Sequence, residues 1–234
     1  MEKNGIWHSS FYIPAFLVNS ERDASITTVC NLLQEVAGQH ALHHQLGYEN
    51  MLAKKQFWVL NRLRVNIQSF PTWRSNIEVQ TWVSNMKGPF SYRNFAIYNQ
   101  AGELLIAACS LWVLLDAKTR RPIRVAKHSL PVLEEKESIC GQPDKLGLLF
   151  NDQLIGTHRV KYSDLDMIKH VNNSKYIEWL MDRVDKAKRQ VHQLDVNYLK
   201  ESFLEDEIEF YANGNNFALR KKGYDNDVCR IRLS

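Results

Sequence analysis

Arg64-Val-Asn-Ile-Gln-Ser-Phe-Pro-Thr-Trp-Arg-Ser-Asn-Ile-Glu-Val79 lies over Asp195-Val-Asn-Tyr-Leu-Lys-Glu-Ser-Phe-Leu-Glu-Asp-Glu-Ile-Glu-Phe210 without a gap, and this pairing decides the fold. The identities are few but fall at agreeing positions, which is the mark of an internal duplication. Outward from the first copy, Phe57 to Ile67, Asn76 to Val83, Phe90 to Tyr98 and Leu104 to Leu115 read as strands, punctuated by Pro71, Lys87-Gly88-Pro89 and Gln100-Ala101-Gly102. Upstream, Ser25 to Leu46 carries Ile26, Val29, Leu32, Leu33, Val36 and Ala37 at helical spacing, with Ser25 as N-cap and Gly47 as a stop. An opening strand is predicted around Phe11 to Val18. The second copy repeats the order: a strand at Thr157 to Tyr162, a helix from Val171 to Arg189, then strands near Val191 to Lys200, Glu207 to Tyr211, Asn216 to Lys221 and Val228 to Leu233. Tyr176, Ile177, Leu180, Met181, Val184 and Ala187 make that helix's apolar stripe.

The pattern is α+β, a long helix followed by an antiparallel meander, given twice. Residues 1–130 form the first half, 131–152 a linker and 153–234 the second half. Sliding the helices together as well puts Asp23 over Asp166, Thr27 over His170 and Glu35 over Glu178, while the strand pairing puts Phe70 over Glu201. The first copy therefore lacks the histidine and the second acid of its partner, which suits an apolar lining in one half and polar chemistry in the other.

That polar chemistry gathers in Tyr162-Ser-Asp-Leu-Asp-Met-Ile-Lys-His170-Val-Asn-Asn-Ser-Lys-Tyr176. Asp164, Asp166 and His170 fall within seven residues just ahead of a helix start, where free N–H groups and the positive dipole end favour developing negative charge. Turn and cap roles account for any one of these residues alone. They do not account for a histidine four residues after an aspartate and then a pair of asparagines.

A net charge of +4 is too mild to announce a nucleic-acid binder, and no strand interleaves aromatic with basic residues. Basic residues bunch as Arg120-Arg121 with Arg124 and Lys127, as Lys186, Lys188 and Arg189, and as Arg220-Lys221-Lys222, where an acidic partner could be steered. Cys30, Cys109, Cys140 and Cys229 are far apart and form no CxxC, so they read as reduced thiols. No apolar stretch approaches a signal peptide or a membrane span, and a cytoplasmic protein is expected. His40 and His44 stand one turn apart, as metal ligands can, with no third ligand at suitable spacing.

The chain resembles the acyl-acyl carrier protein thioesterases of bacteria and plant plastids. The likeness rests on Tyr162-Ser-Asp-Leu-Asp-Met, His170-Val-Asn-Asn, Lys175-Tyr-Ile-Glu-Trp179 and Tyr198-Leu-Lys-Glu-Ser202. In the first half it rests on Leu33-Gln-Glu-Val-Ala37, Phe57-Trp-Val-Leu60, Thr81-Trp82, Ser110-Leu-Trp-Val113 and Arg120-Arg-Pro122. The resemblance implies a tandem double hotdog, each half a long helix wrapped by a curved antiparallel sheet, with the catalytic residues in the second half and the acyl pocket shaped by the first. It implies no cofactor, and as partner an acyl carrier protein bearing a fatty acyl chain. Whether two copies pair as a homodimer is left open.

Carried over by motif, the catalytic positions are Asp166, His170 and Glu201. Glu201 is expected as general base for water, with His170 hydrogen-bonded to Asp166 or polarising the thioester carbonyl, and Asp166 as nucleophile or orienting group. The N–H groups of Val171 and Asn172, which open the helix, are expected to hold the oxyanion. The family motif has an asparagine where this chain has Ile168, so that amide's orienting role is absent or moved. Ser202 stands where many relatives have a cysteine, and Asp164 is read as a turn residue. The implied reaction is hydrolysis of fatty acyl-acyl carrier protein thioesters, releasing free fatty acid and ending chain elongation. A hotdog thioesterase acting on acyl-coenzyme A and a non-catalytic acyl-binding protein are the alternatives.

Overall fold

The computed structural model describes residues 1–125, 131–133, 136, 138–185 and 191–234. They divide into two compact units, Met1–Pro143 and Asp144–Ser234. In the first unit β1 (Glu2–Lys3), β2 (Ile6–Tyr12), β3 (Gln56–Ile67), β4 (Asn76–Lys87), β5 (Phe90–Asn99) and β6 (Leu104–Asp116) pair antiparallel in the order β1-β2-β4-β5-β6-β3. Helix α1 (Ile26–His43) packs on β2 and β4, burying Val29, Leu33, Val36 and Ala37 on one face. Its start is fixed where the sequence places it, because the Ser25 hydroxyl accepts from the Thr28 N–H at 3.0 Å. The helix stops at His43, capped by His44 with Gln45 in the left-handed region at φ 57°, ahead of the Gly47 stop expected from sequence, and Gly47 instead caps a short further helix, α2 (Tyr48–Ala53), which lays Met51 against Leu46, Val83 and Leu114.

In the second unit β7 (Gln153–Arg159), β8 (Gln193–Tyr198), β9 (Glu207–Asn213), β10 (Asn216–Lys221) and β11 (Asp227–Leu233) run in the order β8-β11-β10-β9-β7. Helix α3 (Asn173–Met181) sits against β9, with Trp179 and Phe210 ring centroids 6.4 Å apart. Writing β2, β4, β5, β6 and β3 in place of β7, β9, β10, β11 and β8 turns one strand order into the other. Each unit is thus the expected hotdog.

Several expected elements differ in their bounds: β7 runs over Gln153–Arg159 and is followed by a 3-10 turn at Tyr162–Asp164 where a strand from Thr157 to Tyr162 is expected, and α1 stops at His43, short of Leu46. The opening strand runs over Ile6–Tyr12 and stops before Pro14, which heads a 3-10 turn at Ala15–Leu17, since proline has no N–H to donate to a ladder. Helix α3 closes at Met181, where the Arg183 guanidinium donates to the Trp179 carbonyl and to the Thr157 carbonyl, each at 2.6 Å, so a side chain takes over the end of the helical ladder. Ala187 of the expected stripe, with Lys127, Lys186, Lys188 and Arg189, lies outside the described residues. In the stretch read as a linker, Val132 bridges Val83 and Cys140 packs against Ala107 and Cys109.

Hydrogen bonds give the register of the repeat. In the first unit the Asn19 side-chain oxygen accepts from the N–H groups of Glu21 and Asp23; in the second, the Asp166 carboxylate accepts from those of Ile168 and His170. The Asn19 N–H donates to the Asp23 carbonyl as that of Asp166 does to His170. Arg22 and Lys169 have φ of 68° and 64°, and the Ala24 and Val171 N–H groups donate to Pro71 and Ser202. Asn19 therefore underlies Asp166 and Asp23 underlies His170, which corrects the helix pairing drawn from sequence; Phe70 keeps its place under Glu201.

Candidate active site

All the singled-out residues of the second half sit on the loop between β7 and α3 or on the segment after β8. A 3-10 turn at Tyr162–Asp164 brings the chain off β7, and the Asx turn at Asp166 folds it back so that Asp166 N–H meets the His170 carbonyl at 2.7 Å. Asp166 Oδ1 accepts from Ile168 and His170, both at 3.0 Å. The loop is tied to the next segment through Val171 N–H, which donates to the Ser202 carbonyl at 3.0 Å. This brings the His170 ring to Glu201, Nδ1 to Oε1 at 3.3 Å, with the Phe203 ring edge-on at 5.1 Å. Both side chains of the pair keep about a quarter of their surface in contact with solvent.

Three expectations meet this geometry differently. The His170 ring faces Glu201, and the bond from His170 to Asp166 is made by its main-chain N–H instead. The N–H groups of Val171 and Asn172 are not oxyanion donors: one is spent on the Ser202 carbonyl and the other on the Asp164 carbonyl at 2.9 Å. Loop closure consumes them, as it consumes the Ala24 N–H in the first unit. Ser202 is fully buried against the Tyr176 phenol, which is not a base that would activate its hydroxyl. The Tyr176 phenol beside it is pushed above its ordinary pKa by burial.

Asp164 is the residue that sequence reasoning underrated. It is buried, and its carboxylate accepts from His158 Nε2 at 2.9 Å, from the Lys161 N–H at 2.8 Å and from Trp179 Nε1 at 3.3 Å. The His158 ring stacks on Trp179 with centroids 4.2 Å apart. Burial alone would raise the Asp164 pKa, but His158 and the Lys161 N–H outweigh it and hold the carboxyl below the usual carboxylate range. One acid thus braces β7, the loop and α3 together. The sequence signal was weak, because His158 lies on a strand two residues beyond Gly156 and nothing in the spacing joins it to Trp179.

Ile168 is more than a third exposed, and its contribution to the loop is its N–H rather than its side chain. Ile168→Asn is expected to leave the thermal midpoint within about half a kcal/mol of wild type in stability and to preserve or raise thioester hydrolysis. A large loss of activity would show that the isoleucine shapes the site.

The charge clusters resolve too. Arg220 pairs with Asp152 and Asp227, Lys221 with Asp206 and Lys222 with Glu207, so this group is neutralised inside its own unit. Arg120 lies over the Phe57 ring at 4.8 Å.

With the loop and the histidine–carboxylate pair in view, the match to known proteins is specific to both halves. The family model for the acyl-ACP thioesterase N-terminal domain matches residues 5–132 and that for the C-terminal domain residues 150–230. The chain belongs to the acyl-ACP thioesterase family. Among members of this family, it is 30% identical over 206 residues to an acyl-[acyl-carrier-protein] hydrolase of Cuphea viscosissima, covering 80% of this chain and 49% of that protein. Against a palmitoyl-acyl carrier protein thioesterase of Arabidopsis thaliana the identity is 31%, over 76% of this chain and 47% of the other. The chain thus spans about half the length of the curated thioesterases it matches. An acyl-ACP thioesterase from Bacteroides thetaiotaomicron superposes with a TM-score of 0.89 at 28% identity, covering 98% of this chain and 97% of that one. The 12:0-ACP thioesterase of Umbellularia californica shares the fold, with a TM-score of 0.80 at 23% identity over 100% of this chain and 98% of the other.

Proposed function

We propose that this chain hydrolyses fatty acyl thioesters carried on acyl carrier protein, releasing free fatty acid and so ending chain elongation. The observation that carries the reading is the His170–Glu201 pair, 3.3 Å apart, between the loop that enters α3 and the segment after β8, in a chain of the acyl-ACP thioesterase family. An ionised Glu201 sets the histidine tautomer: the proton sits on Nδ1, towards the carboxylate, and Nε2 keeps its lone pair. That nitrogen takes a proton from the attacking water, and Glu201 stabilises the imidazolium that forms. Glu201 then orients the base rather than serving as the base expected from the motif. Among the described residues no helix is long and apolar enough to cross a membrane.

Asp166 holds the loop. Its Oδ1 carries two main-chain N–H bonds, one of them from His170 itself, and the neutral Asn19 makes the same pair of bonds in the first unit. An amide is therefore sufficient for the shape. Asp166→Asn is expected to fold normally and keep hydrolysis within about tenfold of wild type, whereas Asp166→Ala, which loses both bonds, costs about 1–2 kcal/mol and a larger share of turnover. Complete inactivity of a folded Asp166→Asn protein would make the carboxylate a nucleophile instead.

The test of the substrate is release of free acid from a panel of acyl carrier protein thioesters of different chain lengths, set beside the matching acyl-coenzyme A thioesters. Preference for the carrier-bound series supports the reading. Hydrolysis confined to the coenzyme A series would move the substrate class, and tight acyl binding without free acid would make the chain a binding protein.

A further inference from the structure

A second group of convergent side chains lies in the first unit, apart from every residue used above. The two-residue loop Asn4-Gly5, with φ of 50° and 73°, turns β1 back onto β2 and sets Glu2 opposite Trp7. Glu2 there meets the last turn of α1: Oε2 is 2.9 Å from His44 Nε2 and 3.2 Å from His43 Nε2. Among the described residues, these three donor atoms all lie within 4.8 Å of one another. The third ligand missing from the sequence reading is thus supplied by the chain's opening strand, and His43 replaces His40.

His40 has another part. It is fully buried, and its Nδ1 accepts from the Arg93 guanidinium at 2.8 Å, so the ring proton sits on Nε2. Among the described residues that Nε2 has no hydrogen-bond partner, and it stands 3.9 Å from Glu2 Oε1. A buried N–H left unpaired costs free energy unless something at its tip takes it up.

We propose that Glu2 Oε2, His43 Nε2 and His44 Nε2 bind a divalent transition metal ion of the zinc class. His40 Nε2–H turns Glu2 Oε1 or a metal-bound water as the outer partner. Two imidazoles and a carboxylate with an open fourth position are a zinc-type donor set. Ligands held about 2.0–2.1 Å from a tetrahedral ion stand roughly 3.3 Å apart, close to the separations between Glu2 and the two rings. The C-terminal end of α1 adds the negative end of its dipole. Opposing charges nearby are Arg93, which donates to the far side of the His40 ring, and the Met1 ammonium and Lys3, which flank Glu2 in the chain.

The test is titration of the chelator-stripped full chain with zinc chloride by calorimetry at neutral pH, with cobalt(II) as an optical probe. One ion per chain and the visible absorption of tetrahedral cobalt are expected. Glu2→Gln, His43→Ala and His44→Ala should each weaken binding at least about tenfold, and His8→Ala, altering a ring paired with Glu78, should not. His43 is half exposed, so its variant keeps the fold, which circular dichroism checks. No saturable binding by wild type, an octahedral cobalt spectrum, or unchanged affinity in folded His43→Ala would overturn the site.

Discussion

Glu201→Ala and His170→Ala are each expected to lower hydrolysis of an acyl-acyl carrier protein thioester by about a hundredfold or more, the ordinary cost of losing a positioned acid–base group. The two losses should not add if the residues act as the proposed pair: with Glu201 gone the imidazole would have no fixed tautomer, and with His170 gone the carboxylate would have nothing to orient. The double variant is expected to be little slower than either single one. Added imidazole should restore part of the activity of His170→Ala and none of that of Glu201→Ala. Neither side chain is buried core, since each keeps about a quarter of its surface in solvent, so the thermal midpoint should move little. Near-normal turnover in either variant would remove that residue from the mechanism, and rescue of Glu201→Ala by formate but not of His170→Ala by imidazole would return the base to Glu201.

Asp164→Ala is the largest expected loss of stability, about 2–3 kcal/mol by denaturant unfolding. It strips a buried carboxylate from three donors, and the His158 ring, the Lys161 N–H and the indole N–H of Trp179 are left without the acceptor they share. The effect should depend on pH in one direction. The folded carboxyl is held below its ordinary pKa, so its contribution is present above the unfolded carboxylate value and fades as the pH falls through the lower folded value. Wild type should therefore lose stability on acidification more steeply than Asp164→Asn across and below the ordinary carboxylate range. Parallel pH curves for the two proteins would show that the charge contributes nothing.

The first unit's strands and the start of α1 were legible because their causes are local. Residues from Phe57 to Leu115 fall into β-branched, aromatic and apolar runs bounded by turn residues, and Ser25 can cap only a helix that begins at Ile26. The existence of a duplication was legible for the same reason, since the strand pairing from Arg64 to Val79 carries apolar alternation. The helix register was not. The loop before each helix is held by main-chain N–H groups meeting one side-chain oxygen, and Asn19 supplies that oxygen as well as Asp166 does, so residue identity gave a misleading pairing. Asp164, Glu2 and the spent N–H groups of Val171 and Asn172 were hidden for a further reason. Each depends on partners brought in from another strand or turn.

The paired loops also amount to a controlled comparison that the chain performs on itself. Asn19–Ala24 and Asp166–Val171 share a turn, a left-handed residue, a bridge and the anchoring carbonyl of Pro71 or Ser202. What remains different, once the backbone is subtracted, is a negative charge at 166, a ring at 170 and a carboxylate at 201 set against an amide, an acid and a phenyl group. Folding asks for none of those three differences. A centre transplanted into the first loop would meet a backbone already cast for it.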